Sequence, residues 1–133
     1  MDEPGRFDAP QLFLRLLRYA PEPSAPHAGV FAAGAHSDYG MLTLLATDAQ
    51  PGLQIQPRLG AVEDPDAPWV DVPPRHGAFI VNLGDLLERW TNGRFRSTRH
   101  RVVNTTGKER LSMPFFFGAR RACGAAVRLQ RAR

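Results

Sequence analysis

The chain predicts an all-β fold of the jelly-roll type with one or two short helices, and three observations carry that prediction. Short apolar or alternating runs recur, about seven or eight in number, with turn signals roughly every ten residues. Glycine and proline, 12 of each in 133 residues, are scattered between the runs, which favours many short elements over a helical bundle. Only one segment carries a convincing helical stripe, so the strands lack the intervening helices that a parallel α/β fold requires.

Taken in order, residues 10–19 (Pro-Gln-Leu-Phe-Leu-Arg-Leu-Leu-Arg-Tyr) admit a short helix, or a helix giving way to a strand that ends before Pro21. Extended chain from Leu14 is preferred, with Leu14, Leu16 and Arg18 on one face and Arg15, Leu17 and Tyr19 on the other. Residues 20–26 hold three prolines and form a loop. Residues 30–33 lead into Ala35-His36-Ser37-Asp38-Tyr39-Gly40, and residues 41–46 (Met-Leu-Thr-Leu-Leu-Ala) read as a buried strand or a short turn of structure. Gln50-Pro51-Gly52 is a turn, and residues 53–56 then alternate apolar and polar as a half-buried strand does. A polar loop over 58–68 precedes a short strand at 69–72, which Pro73-Pro74 stops. Residues 78–83 (Ala-Phe-Ile-Val-Asn-Leu) are the most strand-like run, and Gly84 ends it. Asp85 is placed to cap a helix over 86–91, whose Leu86, Leu87 and Trp90 form an inward stripe before Asn92-Gly93 closes it. Two last strands, 97–104 and 110–117, flank a turn at Thr106-Gly107-Lys108.

Charge and cysteine usage narrow the class of partner. Of 17 basic residues five are arginines within 120–133, where there is no acid, so residues 1–119 carry 12 against all 13 acids and are net −1. The body is therefore not basic, and a nucleic-acid role resting on the arginine-rich end is disfavoured. The single cysteine, Cys123, excludes an internal disulfide and fits a reducing compartment. No apolar run approaches the ~20 residues that span a bilayer, and the N-terminus lacks a signal-peptide layout, so a cytoplasmic protein with no membrane partner is expected; its oligomeric state is open.

The chemistry starts from His36 and Asp38. On a strand, residues two apart share a face, so the imidazole and the carboxylate would point the same way while Ser37 turns aside. Two histidines and one carboxylate make a facial metal site with open positions, the arrangement of non-haem Fe(II) oxygenases, and a third ligand is needed. His27 and His76 sit in Pro- and Gly-rich loops, where a solvated surface histidine is the preferred reading. His100, in a β-rich run, reads equally as a ligand or as a core histidine. Arg110 and Ser112 also share one strand face, where the guanidinium fork and a hydroxyl make a receptor for one carboxylate. A surface arginine paired with Glu109 or water is the equal alternative.

The ordered series of motifs resembles a known family, the isopenicillin N synthase-like branch of the 2-oxoglutarate and Fe(II) dependent dioxygenases. The matching stretches are His36-Ser37-Asp38-Tyr39-Gly40 with Met41-Leu42-Thr43-Leu44-Leu45, Pro51-Gly52-Leu53-Gln54, and Trp69-Val70-Asp71-Val72-Pro73-Pro74. They continue through Val81-Asn82-Leu83-Gly84-Asp85, Trp90-Thr91-Asn92-Gly93, Ser97-Thr98-Arg99-His100-Arg101-Val102-Val103-Asn104, and Arg110-Leu111-Ser112-Met113-Pro114-Phe115-Phe116-Phe117. The likeness covers about residues 14–118 and is far more specific than a lone His-x-Asp.

The resemblance implies a double-stranded β-helix with Fe(II) held by His36, Asp38 and His100, and with 2-oxoglutarate as cosubstrate, its distal carboxylate meeting Arg110 and Ser112. Tyr19 looks like the family's residue that also touches the cosubstrate, although Leu17 stands where the family commonly has an asparagine. Phe116 shares the face of Arg110 and Ser112 and could border the substrate, with core packing the preferred role. The implied activity is O2-dependent oxidation of a small organic substrate, releasing succinate and CO2. Two alternatives accompany it: an oxidase that dispenses with 2-oxoglutarate, and a non-catalytic metal- and dicarboxylate-binding barrel. Residues 1–119 are expected to be the catalytic core, short of the helical region that precedes the barrel in the family, and 120–133 an Arg/Ala-rich tail that replaces the usual closing segment.

Overall fold

A computed structural model describes residues 7–58, 64 and 66–119. The expected tail, 120–133, lies outside the described residues. The described elements are nine strands, one α-helix and one turn of 3-10 helix at Pro26–Ala28. The strands are β1 (Gln11–Leu14), β2 (Leu17–Tyr19), β3 (Ala33–His36), β4 (Leu42–Thr47), β5 (Leu53–Gln56), β6 (Val70–Asp71), β7 (Ile80–Leu83), β8 (Arg99–Val102) and β9 (Arg110–Gly118). The helix α1 is Asp85–Trp90. All pairings among these strands are antiparallel, and they build two sheets.

The larger sheet runs β1-β9-β4-β7, with β2 also on β9, and the smaller runs β3-β8-β5-β6. This is the jelly roll the turn spacing predicts. A cavity of about 530 Å3 lies between the sheets, lined by Leu45 and Ile80 from the larger and Leu53, Ile55 and Val102 from the smaller. The interior is thus a space with apolar walls, and the buried residues Leu53 and Val102 line it. The outward rows of the larger sheet leave Leu12, Leu14, Val81, Leu111 and Met113 exposed.

Residues 10–19 differ from the expectation in a way that β9 explains. Extended chain begins at Gln11, no helix forms, and the strand splits into β1 and β2, both in one register on β9 (Leu14 across from Phe115, Leu17 across from Ser112). The gap at Arg15 and Leu16 falls beside Pro114. A proline has no N–H to give the ladder, so the pairing lapses there, and only the Arg15 N–H reaches the Pro114 carbonyl at 3.0 Å.

Turn chemistry closes the remaining connections as expected. Gly52 has φ 132°, and a Cβ there would lie 2.6 Å from the Val103 carbonyl oxygen, so the 50–52 turn needs glycine to pass β8's end. The turn before β9 is organised by buried Asn104, whose side-chain amide donates to the carbonyls of Ala20 and Lys108 and accepts from the amides of Thr106 and Gly107. One side chain thereby ties the end of β2 to the start of β9. The helix is shifted by one residue from the expectation: Gly84 is the extended N-cap and Asp85 the first helical residue.

Candidate metal and anion site

The end of β3 and the middle of β8 bring two imidazoles together. His36 and His100 are cross-strand partners, with ring centroids 4.3 Å apart. The Nδ1 of His36 is 2.8 Å from the Gly34 carbonyl and that of His100 is 3.1 Å from the Thr98 carbonyl. A carbonyl only accepts, so Nδ1 carries the proton on both rings and each Nε2 keeps a free lone pair. Buried Asp38 completes the group, its Oδ1 3.8 Å from the His100 Nε2, and one donor atom from each residue lies within 4.8 Å of the others. His27 and His76 are exposed and lie outside this group.

The geometry behind His36 and Asp38 is not the simple strand face expected. Strand β3 ends at His36, with an irregular register between Ala33 and His36, so Asp38 lies beyond it. The start of α1 bends the chain. The Asp85 N–H donates to the Asp38 carbonyl at 2.7 Å, the Leu86 N–H to the Gly40 carbonyl at 3.1 Å, and the Gly84 N–H to the Met41 carbonyl at 3.0 Å. The free amides of a helix start are matched to the free carbonyls of a turn. The Asp85 carboxylate accepts from the Ser37 hydroxyl at 3.0 Å, not from its own helix. This close fit requires Gly84, since a Cβ there would lie 2.3 Å from the Gly40 carbonyl oxygen.

Two residues that the sequence did not mark hold the Asp38 side chain. Thr43 donates to Asp38 Oδ2 at 2.6 Å and Asn82 at 2.7 Å. The signal was present: Thr43 is the one polar side chain within 41–46, and Asn82 the one within 78–83.

Deeper in the same cavity, Arg110 and Ser112 share one face of β9, and both are 3% exposed. Among the described residues the Arg110 Nε and Nη1 and the Ser112 Oγ have no hydrogen-bond partner, while Glu109 pairs with Arg18 on the surface. The surface-arginine alternative is therefore excluded. Tyr19 stands across the ladder from Arg110, and Leu17 across from Ser112. Phe116 lines the cavity on the same row and stacks on Phe13, with ring centroids 6.2 Å apart. A buried guanidinium and hydroxyl with unused donors, facing a cavity, suit an anion with several acceptor oxygens.

On the outer side of His36 a second, more polar space of about 680 Å3 opens beside α1. Its organiser is Glu88. Burial pushes the Glu88 carboxyl up, but the Ser97 N–H, Arg96 and Arg58 outweigh that and hold it below the ordinary carboxylate value. Arg58 donates to both Glu88 oxygens at 3.0 Å, and the Ser97 N–H to one at 2.7 Å. This network ties α1 to the segment that follows β5 and to the segment that precedes β8.

Comparisons with known proteins place most of the chain in one family. The model of the 2OG-Fe(II) oxygenase superfamily matches residues 11–119. A 2-oxoglutarate-Fe(II) type oxidoreductase of Aspergillus fumigatus is 45% identical over 104 residues, covering 78% of this chain and 29% of the relative. A second, of Emericella nidulans, is 43% identical over 105 residues, covering 78% of this chain and 28% of the relative. Among solved structures, a full-length Neurospora crassa protein in complex with alpha-KG and thymine superposes with a TM-score of 0.71 at 34% identity, covering 84% of this chain and 34% of that one. Against the two curated relatives the chain thus spans 29% and 28% of their length.

Proposed function

This chain belongs to the 2OG-Fe(II) oxygenase superfamily, and from that premise we propose that it is the catalytic core of an oxygenase that couples 2-oxoglutarate to the oxidation of a small organic substrate. The observation that carries the proposal is a two-part cavity: a two-histidine, one-carboxylate group at its rim and an unpartnered buried arginine and serine within. His36, Asp38 and His100 would hold Fe(II) through two Nε2 atoms and a carboxylate oxygen. Bound there, the iron supplies the redox chemistry by which O2, 2-oxoglutarate and substrate become succinate, CO2 and oxidised substrate.

The chain's own part is binding, orientation and exclusion. Arg110 and Ser112 receive the distal carboxylate of 2-oxoglutarate, which pairs the buried guanidinium and uses the idle hydroxyl. The face of the Tyr19 ring lies 5.1 Å from that guanidinium carbon, a cation–π contact that helps to position it. Apolar Leu45, Ile55 and Ile80 wall the space between the two ends, and Phe116 borders the substrate. A small-molecule substrate is in keeping with the thymine bound by the Neurospora protein.

A second reading, a barrel that binds metal and dicarboxylate without turnover, draws on the exposure of His36 at the cavity's rim. Succinate formation decides between them. The chain supplied with Fe(II), 2-oxoglutarate and candidate substrates forms succinate in air and not under nitrogen if the first reading is right. Saturable 2-oxoglutarate binding with no O2-dependent succinate from any candidate supports the second.

A further inference from the structure

We infer that Thr43 and Asn82 are positioning residues that withdraw one oxygen of Asp38 from the metal, making Asp38 a ligand through Oδ1 alone; this rests on the metal site proposed above. The register of the larger sheet sets the geometry. Thr43 on β4 and Asn82 on β7 are direct cross-strand partners, so their side chains leave the sheet on one face, toward the cavity that both line. Both reach the same atom: the Thr43 hydroxyl is 2.6 Å and the Asn82 amide nitrogen 2.7 Å from Asp38 Oδ2. An ionised carboxylate only accepts, so both partners donate, and the two in-plane lone pairs of Oδ2 are taken. The other oxygen, Oδ1, is the one turned toward the His100 Nε2.

Burial makes the arrangement firm. Thr43 is 4% and Asp38 8% exposed, so water does not compete for these hydrogen bonds as it would at the surface. The Asp38 backbone carbonyl is held independently by the Asp85 N–H, and on that backbone the Thr43–Asn82 pair orients the side chain. The consequence concerns the open positions of a facial site. A carboxylate gripping the ion with both oxygens would take a position that the cosubstrate or O2 needs, whereas one oxygen leaves it free.

The test uses the full chain and Co(II), whose visible absorption intensity responds to coordination number. Thr43→Val and Asn82→Leu each remove a donor, and each is expected to weaken Co(II) binding about 10- to 100-fold and to change the intensity of the bound-ion spectrum as the freed Oδ2 turns to the ion. Thr43→Ser keeps the hydroxyl and is expected to retain the parent's affinity and spectrum. The two donors sit on different strands, so if one variant fails to fold the other decides. Folded Val and Leu variants that bind Co(II) as tightly as the parent, with an unchanged spectrum, overturn the inference. So does a Thr43→Ser variant that loses as much as Thr43→Val, since packing and not the hydroxyl would then matter. A parent chain that takes up no Co(II) overturns the metal site itself, and this inference with it.

Discussion

Tyr19 lies directly across the β2·β9 ladder from Arg110, and the guanidinium carbon of Arg110 stands 5.1 Å from the centre of the Tyr19 ring. The ring holds a cation whose Nε and Nη1 have no acceptor among the described residues, in a side chain buried to 3% exposure. Such a charge costs stability until an anion pairs with it. Arg110→Met is therefore expected to stabilise the ligand-free protein by about 1–3 kcal/mol while abolishing 2-oxoglutarate binding. Thermal melts with and without 2-oxoglutarate check both: the parent's melting temperature rises with ligand and the variant's does not. Tyr19→Leu, which removes the ring but not the charge, is expected to weaken 2-oxoglutarate by about fivefold or more, from loss of ~1 kcal/mol of cation–π contact.

His36→Ala and His100→Ala remove the two imidazoles whose rings meet at 4.3 Å. Each loses more metal affinity than the about 10- to 100-fold expected when an outer hydrogen-bond partner is lost, and the double variant binds none. Calorimetric titration with Mn(II) is the measurement. Stoichiometric binding that survives the double change would remove this group as the metal centre.

Gly84 and Gly34 make a matched pair. A Cβ on Gly84 would lie 2.3 Å from the Gly40 carbonyl oxygen and 2.9 Å from that of Asp38, whereas one on Gly34 meets nothing within 4 Å. Gly84→Ala is expected to cost about 1–3 kcal/mol and to weaken metal binding, because the helix start must move off the Asp38 turn. Gly34→Ala stays within about 0.5 kcal/mol of the parent. Denaturant titrations of the two, read side by side, check the difference.

Glu88 makes stability depend on pH in a definite direction. Its folded-state carboxyl sits below the ordinary value of 4.5, so the unfolded chain takes up the proton first as the solution is acidified. The contribution is complete above 4.5 and is lost as the pH falls through the lower folded value. Glu88→Gln is expected to lose about 1–3 kcal/mol at neutral pH and to flatten the acid limb of the stability profile. An acid limb as steep in the variant as in the parent would place the effect elsewhere.

Much of the fold and most of the site are legible in the order of residues alone. Leu53–Gln56 is the observed strand to the residue, because extended chain is a local preference, but its burial does not alternate as expected: Gln56 is buried along with Leu53, its amide donating to the Ala67 carbonyl. Type and spacing mark His36 and Asp38 as a candidate pair of metal ligands and Arg110 with Ser112 as a candidate anion receptor, but leave His100 open between ligand and core histidine and Arg110 open to a surface role. The family resemblance completes the set, and the fold brings His36, Asp38 and His100 together.

Contacts between distant segments are decided only on folding. Nothing near Pro114 tells that residues 15 and 16 will lie beside it, so the break between β1 and β2 could not be placed. The bend that carries Asp38 past the end of β3 comes from the amides of a helix that starts 47 residues later in the chain, from Asp85 to Asp38. Thr43 and Asn82 each look like a stray polar residue in an apolar strand, and only the β4·β7 register sets them side by side on one oxygen. Local periodicity says which face a side chain takes; which faces meet is settled by long-range pairing, where a one-residue slip of β4 against β7 would have put the two donors on opposite sides of the sheet.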